Sequence, residues 1–236
     1  MENMELLTLD IKGLALAFIL GFALLFLGGT PLGYFFVAAM LLFLALSAVV
    51  TYIGLKTKRK LKVGQEPRGF WNVAANGLPP TIMAVFLYAF LSAGMERLSF
   101  IAAAAFIASV AGITSDKFSS ELGVLNGMPR TIFGFRKARK GTSGAVSLAG
   151  TFAGIIGAAA IALLVPFIAV RLYSLYTYPA SVFAVYAIVL VSGLFGSIVD
   201  SMFGYYEEKG IGNKFTSNFL CGIAAAALCA CLLAPL

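Results

Sequence analysis

The chain has 236 residues, 61% of them hydrophobic and 11% charged, with a mean hydropathy of +0.96 and a formal net charge of +7. An ordinary soluble domain carries roughly 45–50% apolar and about 25% charged residues, so a water-soluble globule is excluded. Histidine is absent. Ser-His-Asp triads, HExxH zinc sites and histidine proton relays are therefore excluded, and any catalysis falls to carboxylates, Lys, Arg, backbone amides or a bound metal.

Uncharged runs cover 13–55, 69–95, 98–115, 141–170, 172–199 and 215–236. A membrane span needs about 20 predominantly apolar residues. The first run is long enough for two spans and breaks at Gly28-Gly29-Thr30-Pro31. Seven spans are thus predicted, over 13–29, 34–55, 79–94, 98–115, 146–170, 179–204 and 215–235. Lipid leaves open backbone unsatisfied, and no run alternates apolar with polar residues, so the spans are read as helices. The expected fold is an all-α polytopic transmembrane helical bundle, one integral membrane domain over 1–236. The first span starts like a signal sequence, but no small-residue cleavage site precedes Thr30-Pro31 and a second span follows at once. It is read as a retained helix.

Three loops, at about 56–78, 114–145 and 205–214, together with the N-terminus, collect fifteen of the 17 Lys and Arg residues; Arg97 and Arg171 fall on the other side. Basic loops stay in the cytoplasm. The N-terminus and the three loops are therefore expected to be cytoplasmic, in a multi-pass protein of the cell membrane. The basic cluster at 56–62 suits anionic headgroups, and Trp71 suits the interface. No recognition module accompanies the charge, so nucleic acid is not an expected partner. Cys221, Cys229 and Cys231 share the last span without another metal ligand and read as packed or lipid-facing.

Small residues form stripes at helical spacing: Gly150, Gly154 and Gly157 on the fifth helix, and Gly193, Gly196 and Gly204 beside Asp200 on the sixth. Such stripes let helices approach closely. Acids inside spans are costly and by default mark function. Asp200 lies seven residues before Glu207, about 10 Å inside the polar boundary at roughly 1.5 Å per residue. Asp116 and Glu121 follow the fourth span. If that helix continues, they lie about 140° apart around it, with Ser119 and Ser120 flanking the face of Asp116. They could then hold two ions, or one ion together with Asp200. Hard carboxylate oxygens without His or Cys suit Mg²⁺ or Mn²⁺.

Lys140-Gly141-Thr142-Ser143-Gly144 leads directly into the fifth helix. Its glycines can turn N–H groups toward an anion, and Thr142 or Ser143 can cap the helix. Asn76, Asp116, Glu121, this turn and Asp200 all map to the expected cytoplasmic face. With Lys117, Arg130, Arg136, Lys137 and Lys140 they describe a phosphate-handling site, below which a lipid tail could lie between helices.

At these residues the sequence resembles the family of plant phytyl-phosphate kinase and its bacterial, archaeal and animal relatives. The family pattern A-D-T-W-A-S-E-L-G, P-R, G-T-x-G-G-V-S and G-S-x-x-D-S-x-x-G is similar to four segments here. They are Ser115 to Gly123, Pro129-Arg130, Gly141 to Ser147, and Gly196-Ser197-Ile198-Val199-Asp200-Ser201-Met202-Phe203-Gly204. Ala75-Asn76-Gly77 matches a further A-N-G, and the likeness runs from about 68 to 220. Lys117, Phe118 and Ala145 depart from the family's Thr, Trp and Gly. The resemblance implies a membrane-embedded kinase passing a phosphoryl group from a nucleoside triphosphate, CTP first, to a prenyl monophosphate such as geranylgeranyl, phytyl or farnesyl phosphate. It implies catalytic and Mg²⁺-binding roles for Asp116, Glu121 and Asp200. Phosphate or nucleotide contacts would fall to Asn76, Lys117, Arg130, Lys140, Gly141, Thr142, Ser143, Gly144, Ser197 and Ser201. The bilayer is a further partner, and homo-oligomerisation is left open. Two rivals also remain: another nucleotide–lipid transferase, such as a CDP-lipid synthase, and a transporter of an anionic or lipid substrate.

Overall fold

A computed structural model describes residues 10–61, 69–126, 128–173 and 180–236. It is an all-α bundle: α1 (Ile11–Tyr52), α2 (Leu55–Lys60), α3 (Phe70–Ser92), α4 (Glu96–Asn126), α5 (Leu148–Ala162), α6 (Val165–Tyr173), α7 (Val182–Glu207) and α8 (Lys214–Leu233). Seven stretches are long and apolar enough to cross a bilayer: Ile11–Gly29, Leu32–Tyr52, Phe70–Ser92, Glu96–Leu125, Leu148–Val170, Val182–Glu207 and Lys214–Leu233. The seven-span expectation holds.

The break expected in the first run is a reversal. Gly29 has φ +57°, in the left-handed region that favours glycine. A Cβ on Gly28 would stand 2.5 Å from the Gly33 amide nitrogen, and one on Gly33 would stand 2.6 Å from the Leu25 carbonyl oxygen. Only glycines fit so close a turn. The first half of α1 then runs beside α3, from Asp10 near Gly69 to Phe26 against Tyr88. The second half returns along α4, from Phe36 stacked 4.0 Å on Phe106 to Thr51 beside Glu121.

The centre of the bundle is α4, with 94% of its most apolar stretch buried. Its inner residues are small, including Ala102 to Ala105, Ala108, Ala111 and Gly112, so α3, α5, α7 and α8 all reach its backbone closely. The glycine stripes are packing seams, as expected. Gly150 meets Gly123, Gly154 meets Ser115 and Ser119, and Gly157 meets Thr114 and Phe118. On α7, Gly193 meets Ala111 while Gly196 meets Cys221 and Gly112. Cys221 and Cys229 are buried and Cys231 is exposed.

Two helices run further than hydropathy predicts. The third span starts at Phe70 rather than 79, taking Trp71, Asn72 and Asn76 into α3 and enclosing Pro79 and Pro80. Neither proline can donate to the carbonyl four residues back, and Gly222 of α8 packs against Pro79. The fourth span continues past 115 to Asn126, which places Asp116, Lys117 and Glu121 on a helix instead of in a loop. Their charges end the hydropathy signal but not the helix, because other elements neutralise them. The 56–78 and 114–145 loops are correspondingly shorter. Part of the first (62–68) lies outside the described residues, and its start forms α2. The second folds back on itself as a two-residue ladder, Arg130–Thr131 against Ala145–Val146.

Candidate functional site

A cavity of about 1260 Å³ opens between α1, α3, α4 and α8. That exceeds the roughly 300–1,000 Å³ of drug-sized ligand pockets. Along the first half of α1 its wall runs from Asp10 to Leu25, about 22 Å of helix. Most of this length is apolar, with Phe18, Leu20, Leu24, Met40, Phe43 and Leu44 facing in. One end is polar and is formed by Asn72, Asn76, Asp116, Lys117, Glu121, Lys214 and Asn218. Trp71 and Phe215 meet edge-on beside it, ring centroids 5.7 Å apart.

The three acids expected to act together divide into two centres. Asp116 and Asp200 meet across α4 and α7, close enough for their carboxyl groups to hydrogen bond. Lys214 at the start of α8 bridges to Asp200 at 3.1 Å. Asp200 is only 4% exposed, although Lys214 is about half exposed. Glu121 instead faces the end of α1. Its Oε2 lies 2.7 Å from the Lys58 ammonium, its Oε1 pairs with Lys117, and Thr51 Oγ1 donates to it at 3.2 Å. Lys58 is 3% exposed and also donates to the carbonyls of Val50 (2.7 Å) and Thr51 (3.2 Å). That closes the C-terminal end of α1, where carbonyls lack intrahelical partners. Among the described residues, no three of His, Cys, Asp and Glu gather in a group that could hold a metal. The carboxylates that do meet are Asp116 and Asp200, and they are hard oxygen donors of the kind Mg²⁺ takes.

Asn76 lines the cavity and donates from Nδ2 to the Asn72 carbonyl at 2.9 Å. Arg130, Lys140, Gly141, Thr142, Ser143, Gly144, Ser197 and Ser201 do not line it. Arg130 donates to the Phe135 carbonyl (3.0 Å), and Lys140 to the Leu125 carbonyl near the end of α4 (2.9 Å). The glycine-rich turn already holds an anion from its own chain: the Ser143 N–H donates to Glu208 Oε1 at 2.8 Å and Ser143 Oγ to Glu207 Oε2 at 3.3 Å. Gly144 (φ +70°) packs so tightly on α7 that a Cβ there would stand 2.5 Å from the Ser201 carbonyl oxygen. Neither Thr142 nor Ser143 caps α5. Ser147 does, accepting from the Gly150 N–H at 3.1 Å. Ser197 is buried on α7 next to Gly196.

Sequence reasoning missed Thr51, Lys58, Lys214 and Asn218. The two lysines served only to orient the chain, and neither Thr51 nor Asn218 sits in a recognisable motif. For Lys214 a signal existed: it is the one cation at the mouth of the last span, a short hairpin away from Asp200.

Helices, central seam and half-apolar cavity together define a polytopic helical membrane protein with charged residues buried at one end of the bundle. The chain belongs to the integral membrane protein family DUF92, which it matches over residues 3–232. It is 34% identical over 223 residues to a membrane protein of Methanocaldococcus jannaschii described as uncharacterized, covering 91% of this chain and 82% of that one. No solved structure matches it.

Proposed function

We propose that the chain is a membrane-embedded kinase that phosphorylates a prenyl monophosphate to the diphosphate at the expense of a nucleoside triphosphate. One observation carries this reading: a single cavity joins a long apolar slot to a polar end where acids and lysines of α4 and α8 meet the Asn72 and Asn76 amides of α3. An isoprenoid tail fits the slot between the two halves of α1, and its phosphate then lies at the polar end. The side on which the basic residues gather makes that end cytoplasmic, where nucleotide is available.

In this reading Lys117 and Lys214 attract phosphate oxygens, and Asn72 and Asn76 offer amide groups beside them. An oxygen of the acceptor phosphate attacks the γ-phosphorus of the nucleotide. The bond to the bridging β–γ oxygen breaks, and the nucleoside diphosphate leaves with that electron pair. A phosphate monoester is already an anion at neutral pH, so the absence of histidine is no obstacle, and positioning and charge neutralisation are the main demands. Mg²⁺ held by Asp116 and Asp200 would supply charge neutralisation on the nucleotide phosphates. Glu121 holds Lys117 in place and ties α4 to α1 and α2.

The test is turnover by the purified protein in detergent. Geranylgeranyl, phytyl and farnesyl monophosphate are each incubated with γ-labelled CTP, ATP, GTP or UTP and Mg²⁺. Label is expected in a prenyl diphosphate and is lost in Asp200→Asn. A folded protein that binds nucleotide yet labels no acceptor would favour another nucleotide–lipid transferase. Absence of nucleotide binding would favour a transporter.

A further inference from the structure

Asp116 and Asp200 bring two carboxylates into contact, with Lys214 the ammonium bridged to Asp200. Two acids buried this closely cannot both stay ionised unless a cation lies between or beside them; otherwise they share a proton, which an entering cation would displace. A third oxygen sits on the remaining helix. Asn218 is 7% exposed and lines the cavity, and its Oδ1 has no hydrogen-bond partner. Four other buried side-chain oxygens, on Ser47, Ser109, Ser115 and Ser192, also lack partners, but none of those residues lines the cavity. A buried amide oxygen left unpaired costs about 1–3 kcal/mol, so its retention in the cavity wall calls for a ligand.

Helix packing puts the three oxygens at one depth. A Cβ on Gly196 would stand 2.6 Å from the Cys221 carbonyl oxygen and 3.4 Å from Gly112 Cα, so α4, α7 and α8 touch there. One turn on from that contact, toward the same membrane face, α4 presents Asp116 and α7 presents Asp200. The antiparallel α8 presents Asn218 three residues before Cys221.

We infer that Asp116, Asp200 and the Asn218 side-chain oxygen form a binding site for one divalent cation, with Lys214 as a competing internal cation. Two carboxylates and an amide oxygen are hard donors, and they leave other coordination positions to water or to phosphate oxygens, as Mg²⁺ prefers. When the ion enters, the Lys214 ammonium is displaced from Asp200 toward the polar end of the cavity. The inference deepens the kinase reading, on which it rests for what the ion then serves; its own test needs no turnover.

Mn²⁺ is titrated into the purified protein without nucleotide or lipid phosphate, and the free ion is followed by its electron paramagnetic resonance signal. One ion per chain is expected. Asp116→Asn and Asp200→Asn should each abolish binding, and Asn218→Leu should weaken it on the order of tenfold or more. Asn218→Asp should bind at least as tightly as the parent, which shows that the position folds when changed. Lys214→Met should tighten binding. The neutral double change Lys58→Met/Glu121→Gln should stay within about twofold, since that pair lies outside the site. The inference is overturned if the parent protein binds no Mn²⁺, if Asn218→Leu binds as the parent does, or if Asn218→Asp weakens binding. Mn²⁺ binding of this pattern without phosphoryl transfer would leave the cation site standing and sink the kinase. Turnover with an unaltered Mg²⁺ requirement in Asn218→Leu would do the reverse.

Discussion

Two charged centres lie five residues apart on α4 and are built with opposite balances. At Glu121 one carboxylate serves two lysines, Lys58 and Lys117, and Thr51 completes its shell. At Asp116 and Asp200 two carboxylates share Lys214. The first centre carries an excess positive charge and closes a helix end; the second has more acids than lysines, and an unpaired amide oxygen on α8. The balance of acid and lysine marks what each centre, both at the polar end of the cavity, would receive: phosphate by the lysines, metal by the acids. The same helix supplies both, so their separation is fixed by α-helical geometry.

The Glu121 centre is the place to break this contrast most severely. Glu121→Gln leaves the Lys58 ammonium buried without its counter-charge, and uncoupling a buried pair costs about 3–5 kcal/mol. Thermal unfolding in detergent should show that loss, and adding Lys58→Met should recover much of it. If Glu121→Gln melts like the parent, the centre is not a structural clamp. At the acid pair the expected effect is on rate: Asp116→Asn should slow phosphoryl transfer about 10²–10³-fold, in the range seen on removing one electrostatic stabiliser. A comparable stability loss with turnover intact would show the two centres to be alike.

A smaller effect sharpens the contrast through packing. Gly196→Ala places a methyl against the Cys221 carbonyl. Overpacking of this kind costs about 1–3 kcal/mol, and it should also weaken Mn²⁺ binding by parting α4, α7 and α8. Gly21→Ala, with nothing within 4 Å of the added carbon, should not lower stability and should raise it by about 0.5–1 kcal/mol, because alanine is the better helix former. The smallest effect is expected at the turn. Ser143→Ala removes the hydroxyl bond to Glu207, worth about 1 kcal/mol or less, and should leave nucleotide affinity unchanged. A large loss of affinity there would return the turn to the phosphate site.

The spans were legible because hydropathy reports lipid contact directly, and the Gly28–Pro31 reversal was legible from its glycines and proline. What hydropathy hid was the polar continuation of α4 through Asp116 and Glu121, since a charged stretch reads as a loop unless its partners are known. Those partners come from far along the chain: Lys58 from 63 residues before Glu121, and Lys214 from nearly 100 beyond Asp116. Lys58 stands among Lys56, Arg59 and Lys60 with nothing local to distinguish it, yet it is the one turned inward. The acids themselves were legible because burying a carboxylate in a span needs a reason. At 141–144 the sequence could not separate glycines that cradle an anion from glycines that press against a helix, because the two look identical in sequence. Ser147, directly before the apolar run, was the better cap and could have been read as such.

The reversal at Gly29 has a consequence for how the cavity meets its surroundings. The first half of α1 forms one wall, yet only 11% of that span's most apolar stretch is buried by protein. Ile11, Ile19 and Phe26, which do not line the cavity, are all more than half exposed. Acyl chains therefore complete the outside of this wall, and in the kinase reading a prenyl phosphate would enter the cavity past it from the bilayer. Its supply is then set by its mole fraction in the leaflet and not by its aqueous molarity. Bilayer thickness and acyl order, which act on the hinged first span, become control variables for the rate at which that ligand exchanges.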